Sequence, residues 1–372
     1  MSQEYVSTLQ LSGFQLWEKL YARRRPVAFD LEVTARCNHG CRHCYINLPA
    51  ADQEARAAEL SPEEIGSIAG EAVSMGAVLC LITGGEPLLR EDFREIYLAL
   101  KRLGLLVSVF TNASLITPEH VRLFKKFPPR VLEVSVYGVT PATYEAVTRR
   151  PGSFAAFRRG LDLLLGNGVP VRLKAMALRA NVHELPDIAR FCRARTRDYF
   201  RFDPSLHLRF DNDAARNAEI RAQRLSPEEI VSIERADSER FQALKKGCDQ
   251  FIGPCGPEGC DHLFHCGTGR QSFAVSYRGL FRLCSSLWHP DCVYDLRRGN
   301  LKEAWDKLAP LVREMRSQDH EFLQKCRRCP IINLCLWCPA HAHLESGRLD
   351  ARVEYFCRVA YARARALGYP GA

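Results

Sequence analysis

The sequence predicts an α/β fold in which a partial, open (β/α)6 barrel of the TIM type is followed by a cysteine-rich region. Short apolar or alternating runs and helical segments follow one another about six times within residues 26–211. This alternation is typical of a parallel sheet wrapped by helices. Six units are fewer than the eight that close a barrel, which favours an open one. Eleven of the sixteen cysteines lie from Cys248 onward, which sets the second region apart.

The elements of the barrel are predicted in chain order from apolar spacing and helix-start signals. Residues 27–34 alternate apolar and polar side chains, which predicts strand one. Ser61, Pro62 and Glu64 supply a hydroxyl cap, a first-turn proline and a capping-box carboxylate, which predicts a helix start. The apolar run over residues 77–83 predicts a buried second strand. The same patterns predict strands near 105–111, 131–137, 170–178 and 199–209 and helices near 91–102 and from Thr117 onward.

Four loops with polar or glycine-rich sequences follow the first four predicted strands. In barrels of this type, the chemistry gathers at the C-terminal ends of the strands. The sequence therefore predicts that the four loops form one site. The loops contain the cysteines of residues 37–44, the Gly-Gly-Glu-Pro run of residues 84–87, residues 111–112, and residues 135–138.

The first loop has three cysteines, Cys37, Cys41 and Cys44, in the spacing Cys-x3-Cys-x2-Cys. Three thiolates this close suit a four-iron four-sulfur cluster in which one iron lacks a protein ligand. A zinc site completed by a distant residue and reduced structural cysteines are the alternatives. The two glycines of residues 84–87 would let the backbone approach a ligand closely, and Glu86 could bind an ammonium group. Together the two loops indicate an amino-acid-shaped cofactor beside an open iron.

The cysteine motif with Tyr45, followed some forty residues later by the Gly-Gly-Glu-Pro loop, resembles the radical S-adenosylmethionine (SAM) superfamily. The resemblance implies that the three cysteines hold a 4Fe-4S cluster and that the amino and carboxylate groups of SAM occupy its open iron. It also implies that an electron enters this cluster, SAM is cleaved, and a 5′-deoxyadenosyl radical takes hydrogen from a substrate. The cofactor-binding residues that it implies are Tyr45, Gly84, Gly85, Glu86, Pro87, Asn112, Ser135 and Asn181.

The cysteine-rich region has eight further thiols in two sets, enough to ligate two four-iron clusters fully. Zinc is the alternative, but the Cys-x2-Cys pairs lie closer together than in common zinc ribbons. The spacing resembles the SPASM extension of many radical SAM enzymes, which carries two auxiliary clusters. That resemblance implies Cys260, Cys266, Cys284 and Cys338 as ligands of the first cluster and Cys326, Cys329, Cys335 and Cys357 as ligands of the second. Two residues rather than the usual three precede Cys338, so Cys255 stays open as its substitute.

We predict four parts of the chain from these patterns. They are an N-terminal helical extension over residues 1–25, the radical SAM partial barrel over 26–211, a helical connector over 212–247, and a SPASM-type domain over 248–372. The remaining cysteines are expected either to be spare or to pack as small apolar side chains, as for Cys80 and Cys192.

The run of residues 135–154 is most similar to ribosomal-peptide maturases, so we expect a peptide substrate joined by a carbon–carbon or thioether crosslink. Two auxiliary clusters would provide a route for the substrate electron. The alternatives are a small-molecule substrate such as a sugar, a sulfatase-type maturase, and a non-catalytic iron–sulfur or zinc protein. Ser285 stands where sulfatase-type maturases tend to carry an Asp. Asp203, His207 and Asp211 lie near the end of strand six, but the pattern names no catalytic base.

We expect a cytoplasmic enzyme served by an electron donor such as flavodoxin or ferredoxin. The first residues show no signal-peptide pattern, and no apolar run approaches the roughly 20 residues that span a bilayer. The net charge of +9 is counted with neutral cysteines, and cluster-bound thiolates would lower it by several units. We therefore interpret the positive side chains as a solvated surface and not as a nucleic-acid-binding surface. The segment before strand one is short, so any leader peptide is expected to dock on the barrel, the C-terminal region or a separate protein.

Overall fold

The computed structural model describes residues 24–196, 201–251, 260–335 and 337–369, with residues 247–251 and 333 described by their backbone alone. Most of the predicted N-terminal extension, and Cys255, lie outside these residues. Within them, no helix is both long enough and apolar enough to cross a membrane.

Nine strands of the described residues form one sheet, and its first six strands build the partial barrel. The strands are β1 (Ala28–Thr34), β2 (Leu79–Gly84), β3 (Leu106–Thr111), β4 (Val131–Val136), β5 (Arg172–Met176), β6 (Arg201–Asp203), β7 (Ser272–Val275), β8 (Leu280–Arg282) and β9 (Val293–Asp295). Strands β1 to β6 are neighbours in chain order and all run parallel. The predicted partial barrel is therefore confirmed. Strands β5 and β6 are shorter than predicted, and β6 has only three residues.

The sheet continues from the barrel into the cysteine-rich region. Strand β7 pairs parallel to β1, with Phe29 opposite Phe273, and the two rings stack with centroids 5.3 Å apart. Strands β8 and β9 extend this edge in antiparallel fashion. The C-terminal region is thereby joined to the first strand of the barrel by backbone hydrogen bonds, which the sequence did not predict.

Alpha-helices accompany the sheet in both regions of the described chain. They are α1 (Gln53–Ala58), α2 (Pro62–Met75), α3 (Phe93–Arg102), α4 (Pro118–Lys126), α5 (Pro141–Thr148), α6 (Ser153–Gly166), α7 (Leu185–Arg193), α8 (Ala214–Gln223), α9 (Pro227–Ala236), α10 (Ser238–Phe251), α11 (Leu301–Glu303), α12 (Ala309–Arg313), α13 (Pro339–Ser346) and α14 (Glu354–Ala366). A π-helical turn, Ala304–Leu308, joins α11 to α12, and another spans Phe322–Cys326. The predicted start of α2 is confirmed. The backbone N–H of Ser61 donates to Glu64 (2.7 Å), and its hydroxyl accepts from the Glu64 N–H (3.2 Å).

The alternation along β1 separates the apolar core from the barrel interior. Phe29, Leu31 and Val33 are buried in the main core together with side chains of α2 and α3. Asp30 and Glu32 stand on the opposite face of the strand. The barrel interior therefore receives polar side chains, and the hydrophobic burial that stabilises the fold lies outside the barrel.

Candidate active site

A cavity of about 340 Å³ opens at the C-terminal ends of the barrel strands; we call it the barrel cavity. The loops after β1 to β4 all reach its wall, as the sequence predicted. Eight of the predicted residues line it: Cys37, Cys41, Cys44, Tyr45, Gly84, Gly85, Asn112 and Ser135.

The three cysteines enter the cavity from one loop that is fixed by backbone contacts. The N–H of Gly40 donates to the carbonyl of Thr148 (2.8 Å), and Arg216 donates to the carbonyl of Cys41 (3.1 Å). Burial raises the pKa of the Cys41 thiol, and the charges of Cys44 and Cys37 raise it further. Three crowded thiols of this kind are stabilised as thiolates by a cationic metal centre, so the donor set fits an iron–sulfur cluster.

The two glycines allow the loop after β2 to pack against the cysteine loop. Gly84 has φ of +134°, and a Cβ there would lie 2.1 Å from the carbonyl oxygen of Thr34. A Cβ on Gly85 would lie 2.2 Å from the carbonyl oxygen of Arg36. The Gly85 N–H donates to Thr34 (2.7 Å), which completes the contact. Glycine is required here because any side chain would separate the two loops.

Glu86 is fully buried and ties the loops after β2 and β3 together. Its carboxylate accepts from the Thr111 hydroxyl (2.7 Å), the Asn112 N–H (2.7 Å) and the Leu88 N–H (3.1 Å). Burial raises the pKa of Glu86 to about 7, although these hydrogen bonds oppose the shift. The side chain lies behind the cavity wall, and its contact with an ammonium group stays a prediction.

Asn112 and Asn181 occupy different positions. The Asn112 amide donates to Asn38 (2.9 Å) and lies 3.9 Å from the Cys37 sulfur, at the cavity. Asn181 is fully buried away from the lining, where its amide donates to the carbonyls of Tyr137 and Met176 (both 3.0 Å). The structure therefore gives Asn181 a role in joining the loops after β4 and β5. Pro87 is also buried outside the lining, at the start of a short 3-10 turn.

The rest of the cavity wall includes apolar side chains, among them Leu81, Phe110 and Met176. It also includes charged or polar side chains, of which the sequence analysis named Asp203, His207 and Ser285 but not Asp30, Glu133 or Lys174. Asp30, Glu133 and Lys174 stand on inward-facing strand positions, so the signal that could have found them is the polar half of the strand alternation. Asp211 is not at the wall. It pairs with Arg209 at 2.5 Å, and although burial opposes ionisation, this contact lowers the pKa of Asp211.

A second cavity, of about 300 Å³, lies in the C-terminal region and is called the thiol cavity. All four cysteines predicted for the second auxiliary cluster line it: Cys326, Cys329, Cys335 and Cys357. A hydrogen bond with Cys335 lowers the pKa of the Cys357 thiol to about 6, and Arg352 also donates to Cys357 at 3.5 Å. Among the described residues, no three His, Cys, Asp or Glu side chains are arranged to hold a single ion. Four soft donors around this volume fit an iron–sulfur cluster.

Three of the four cysteines predicted for the first auxiliary cluster lie near one another. Burial raises the pKa of the Cys338 thiol to about 12, and the charges of Cys284 and Cys266 raise it further. Cys260 lies beside two histidines, 3.4 Å from His262 and 3.8 Å from His265.

The remaining described cysteines are part of the packing. Cys80 and Cys192 lie in the main hydrophobic core, as predicted, and so does Cys292. Cys292 also lies near Cys284, a predicted ligand of the first auxiliary cluster, whose charge acts on it.

Comparison with known proteins decides the family of the barrel. Residues 31–192 match the model of the radical SAM superfamily. The chain carries a radical SAM domain. The cavity fits this assignment, because its three thiols, the close glycine loop and Asn112 surround one space at the ends of the strands.

Relatives of this radical SAM protein extend over most of its length. The AdoMet-dependent heme synthase of Nitratidesulfovibrio vulgaris is 26% identical over 85% of this chain and 88% of that protein. The antilisterial bacteriocin subtilosin biosynthesis protein AlbA of Bacillus subtilis is 24% identical over 84% of this chain and 67% of that protein. The crystal structure of Streptococcus suis SuiB bound to precursor peptide SuiA matches 96% of this chain and 82% of that chain, with a TM-score of 0.68 and 14% identity. At that identity, the structural match supports the fold.

Proposed function

We propose that this radical SAM enzyme oxidatively crosslinks side chains of a peptide through a carbon–carbon or thioether bond. The observation that carries the proposal is that four thiols gather in a cavity of their own, apart from the barrel cavity. A second redox centre lets the enzyme remove an electron from the substrate as well as a hydrogen atom, which a net oxidation requires.

Residues of the barrel cavity would hold the cofactors. Cys37, Cys41 and Cys44 would ligate the 4Fe-4S cluster, and the loop of residues 84–87 with Asn112 and Ser135 would bind SAM. When bound, the reduced cluster and SAM supply a 5′-deoxyadenosyl radical, which removes hydrogen from the substrate. The protein positions the substrate against this group and keeps water away from it.

The C-terminal cysteines would hold two auxiliary 4Fe-4S clusters, giving three clusters in all. Cys260, Cys266, Cys284 and Cys338 would ligate the first, and the thiol cavity would hold the second. We further propose that the enzyme works in the cytoplasm, that flavodoxin or ferredoxin donates the electron, and that a separate protein presents any leader peptide.

The shape and charge of the barrel cavity support a peptide over a tetrapyrrole. The volume of about 340 Å³ is near the lower limit for ligand pockets, and SAM and the substrate must share it. One side chain of an extended peptide needs little of this space, whereas a rigid macrocycle needs much. The wall carries three carboxyl groups, those of Asp30, Glu133 and Asp203, against one lysine, Lys174, and this charge balance disfavours the carboxylates that heme-type compounds carry. Two similar proteins are connected with peptides, since AlbA is a bacteriocin biosynthesis protein and SuiB was crystallised bound to the precursor peptide SuiA.

A heme-synthase-type oxidation of a tetrapyrrole is the second candidate. The observation that favours it is the 26% identity with the heme synthase over 85% of this chain.

One experiment separates the two candidates. The reconstituted, reduced enzyme is incubated with SAM and either a candidate peptide, taken from a small open reading frame found beside its gene, or an iron coproporphyrin. We expect 5′-deoxyadenosine and a peptide that has lost two hydrogens, with a new linkage in its fragmentation spectrum. The matched Cys37→Ala variant should give neither product. An unchanged peptide together with conversion of the porphyrin would refute the peptide proposal.

A further inference from the structure

Asp30 places a carboxylate in the barrel cavity, and the proposed function does not use this side chain. It stands in the middle of β1 on the inward face and lines the cavity. Of its two neighbouring strands, β2 places Leu81 opposite Asp30 and β7 places Ala274 there. Neither facing residue can neutralise the carboxylate or donate a side-chain hydrogen bond to it.

The cation that acts on Asp30 is already committed to other partners. Arg282 on β8 donates to Glu32 at 2.6 Å and to the Ser285 carbonyl at 2.6 Å, and its guanidinium lies 3.6 Å from the Trp288 ring centroid. Arg282 and Glu32 are both fully buried. The pair still leaves Nε of Arg282 and Oε1 of Glu32 buried without hydrogen-bond partners. Within the described residues the Asp30 carboxylate makes no hydrogen bond, although it feels the charge of Arg282.

The other titratable groups around Asp30 do not offer it a partner. Glu32 repels it from the same strand, and Cys80 on β2 and Tyr45 from the cysteine loop are neutral neighbours whose ionisation its charge opposes. Burial raises the pKa of Asp30 to about 6, and Arg282 partly offsets the shift. The carboxylate and the neutral acid are thus both accessible near neutral pH.

The other acidic residues of the wall are more strongly engaged. Asp203 accepts the N–H of Ser205 at 2.9 Å. Burial raises the pKa of Glu133, but the positive charges of Lys174, Arg201 and Arg172 oppose the shift. Asp203 thus has a hydrogen-bond donor and Glu133 has three cations acting on it, whereas Asp30 has no donor and one cation that already pairs with Glu32.

We propose that Asp30 is a catalytic residue that accepts the proton released when the crosslinked peptide is oxidised. The inference rests on the proposed function. The substrate first gives one hydrogen atom to the cofactor-derived radical, and a bond then forms between its two side chains. One proton and one electron must still leave. The electron would go to the iron–sulfur cluster that the C-terminal cysteines would hold, and the proton passes to the Asp30 carboxylate, which becomes a neutral acid.

The role predicts a particular pH dependence. Because the carboxylate is the accepting form, crosslinking should accelerate as the pH rises through about 6 and should level off above it. Removing the carboxylate should remove this rise, whereas cleavage of SAM does not need it.

The test compares Asp30→Asn, Asp30→Glu, Asp203→Asn and the exposed control Asp162→Asn, each reconstituted with iron and given SAM and the same candidate peptide. We expect Asp30→Asn to keep its iron and its 5′-deoxyadenosine formation, to lose about a hundredfold in crosslinking rate, and to show a flat profile near pH 6. Asp30→Glu should recover part of the rate, and Asp162→Asn should match the wild type.

The outcomes separate this inference from the function on which it rests. If the wild type leaves the peptide unchanged, the proposed function fails, and the role of Asp30 fails with it. If the wild type forms the crosslink and Asp30→Asn does so with the same rate and pH profile, Asp30 is not the acceptor. The same conclusion follows if Asp203→Asn, and not Asp30→Asn, removes the pH-dependent rise.

Discussion

The barrel cavity and the thiol cavity both gather cysteines, yet their walls are built differently. Three thiols in the barrel cavity share the wall with several charged side chains and a glycine loop. In the thiol cavity, four thiols are accompanied mainly by apolar side chains and by the basic residues Lys325, Arg328 and Arg352. Four thiols complete the ligand set of a cluster, whereas three leave one iron open. This difference is our reason for proposing that the barrel cavity receives further molecules and that the thiol cavity holds a closed redox centre.

Removing the thiols of the barrel cavity should have the largest effect. In the variant with Cys37, Cys41 and Cys44 all replaced by Ala, about four of about twelve irons should be lost, because one of three clusters cannot form. Formation of 5′-deoxyadenosine should fall to background, and the absorption of the other clusters should remain. Cys192→Ala, which removes a buried cysteine of the main core outside both cavities, is the control for iron content and activity. Stoichiometric zinc with only four irons in the wild type would contradict this count.

Removing one thiol from the thiol cavity should have a smaller and more selective effect. Cys357→Ala removes one of its four thiols and should cost about four irons as that cluster is lost or damaged. Peptide crosslinking should fall, but 5′-deoxyadenosine should still form, since the barrel cavity is untouched. Iron analysis and mass spectrometry on the same sample measure the three quantities. A variant with full iron and normal crosslinking would show that Cys357 is not a ligand.

Glu86→Ala should weaken cofactor binding without removing any cluster. The substitution removes the predicted contact of the carboxylate with the SAM ammonium group, and losing a hydrogen bond to a charged group costs about 1.5–3 kcal/mol. The dissociation constant of SAM should therefore rise roughly ten- to a hundredfold in calorimetry. Glu95→Ala, on the exposed face of α3, should bind SAM as the wild type does. Equal affinity in the two variants would rule out a role of Glu86 in the site.

The smallest expected effect concerns the electrostatics of the thiol cavity. Arg352 donates to Cys357 at 3.5 Å and pairs with Glu354 at 2.8 Å. A nearby positive charge favours the reduced, more negative form of a cluster, so Arg352→Gln should move its reduction potential to a more negative value. Redox titration followed by electron paramagnetic resonance measures the shift. Arg348→Gln, an arginine paired with Asp319 and Asp350 on the same surface, should leave the potential unchanged.

Sequence patterns predicted the parts of the molecule that local chemistry determines. The capping box at Ser61 and the order of the parallel strands follow from residues close in the chain. The gathering of Cys326 and Cys357 in one cavity was predicted by resemblance to a known extension, and the structure places them together. In each case the signal lay in a spacing that few other structures use.

Other features escaped prediction because they depend on long-range packing. Strand β7 has four residues between loops, and its pairing with β1 joins residues more than two hundred positions apart. In the sequence, Asp30 and Lys174 occupy ordinary polar positions of alternating strands. Only the curvature of the sheet into a barrel places these positions on the inside. Asn181 was predicted at the cofactor, but a buried amide can equally join two loops, and only the structure shows those partners.

The most direct measurement is the electron paramagnetic resonance spectrum of the reduced, reconstituted protein with and without SAM. We predict that SAM changes the signal of one cluster only. Cys357→Ala should keep this change, and the variant lacking Cys37, Cys41 and Cys44 should lose it together with that signal. A spectrum that SAM leaves unchanged in the wild type, or a SAM-dependent change that survives without the three barrel thiols, would contradict the assignment of the open cluster to the barrel cavity.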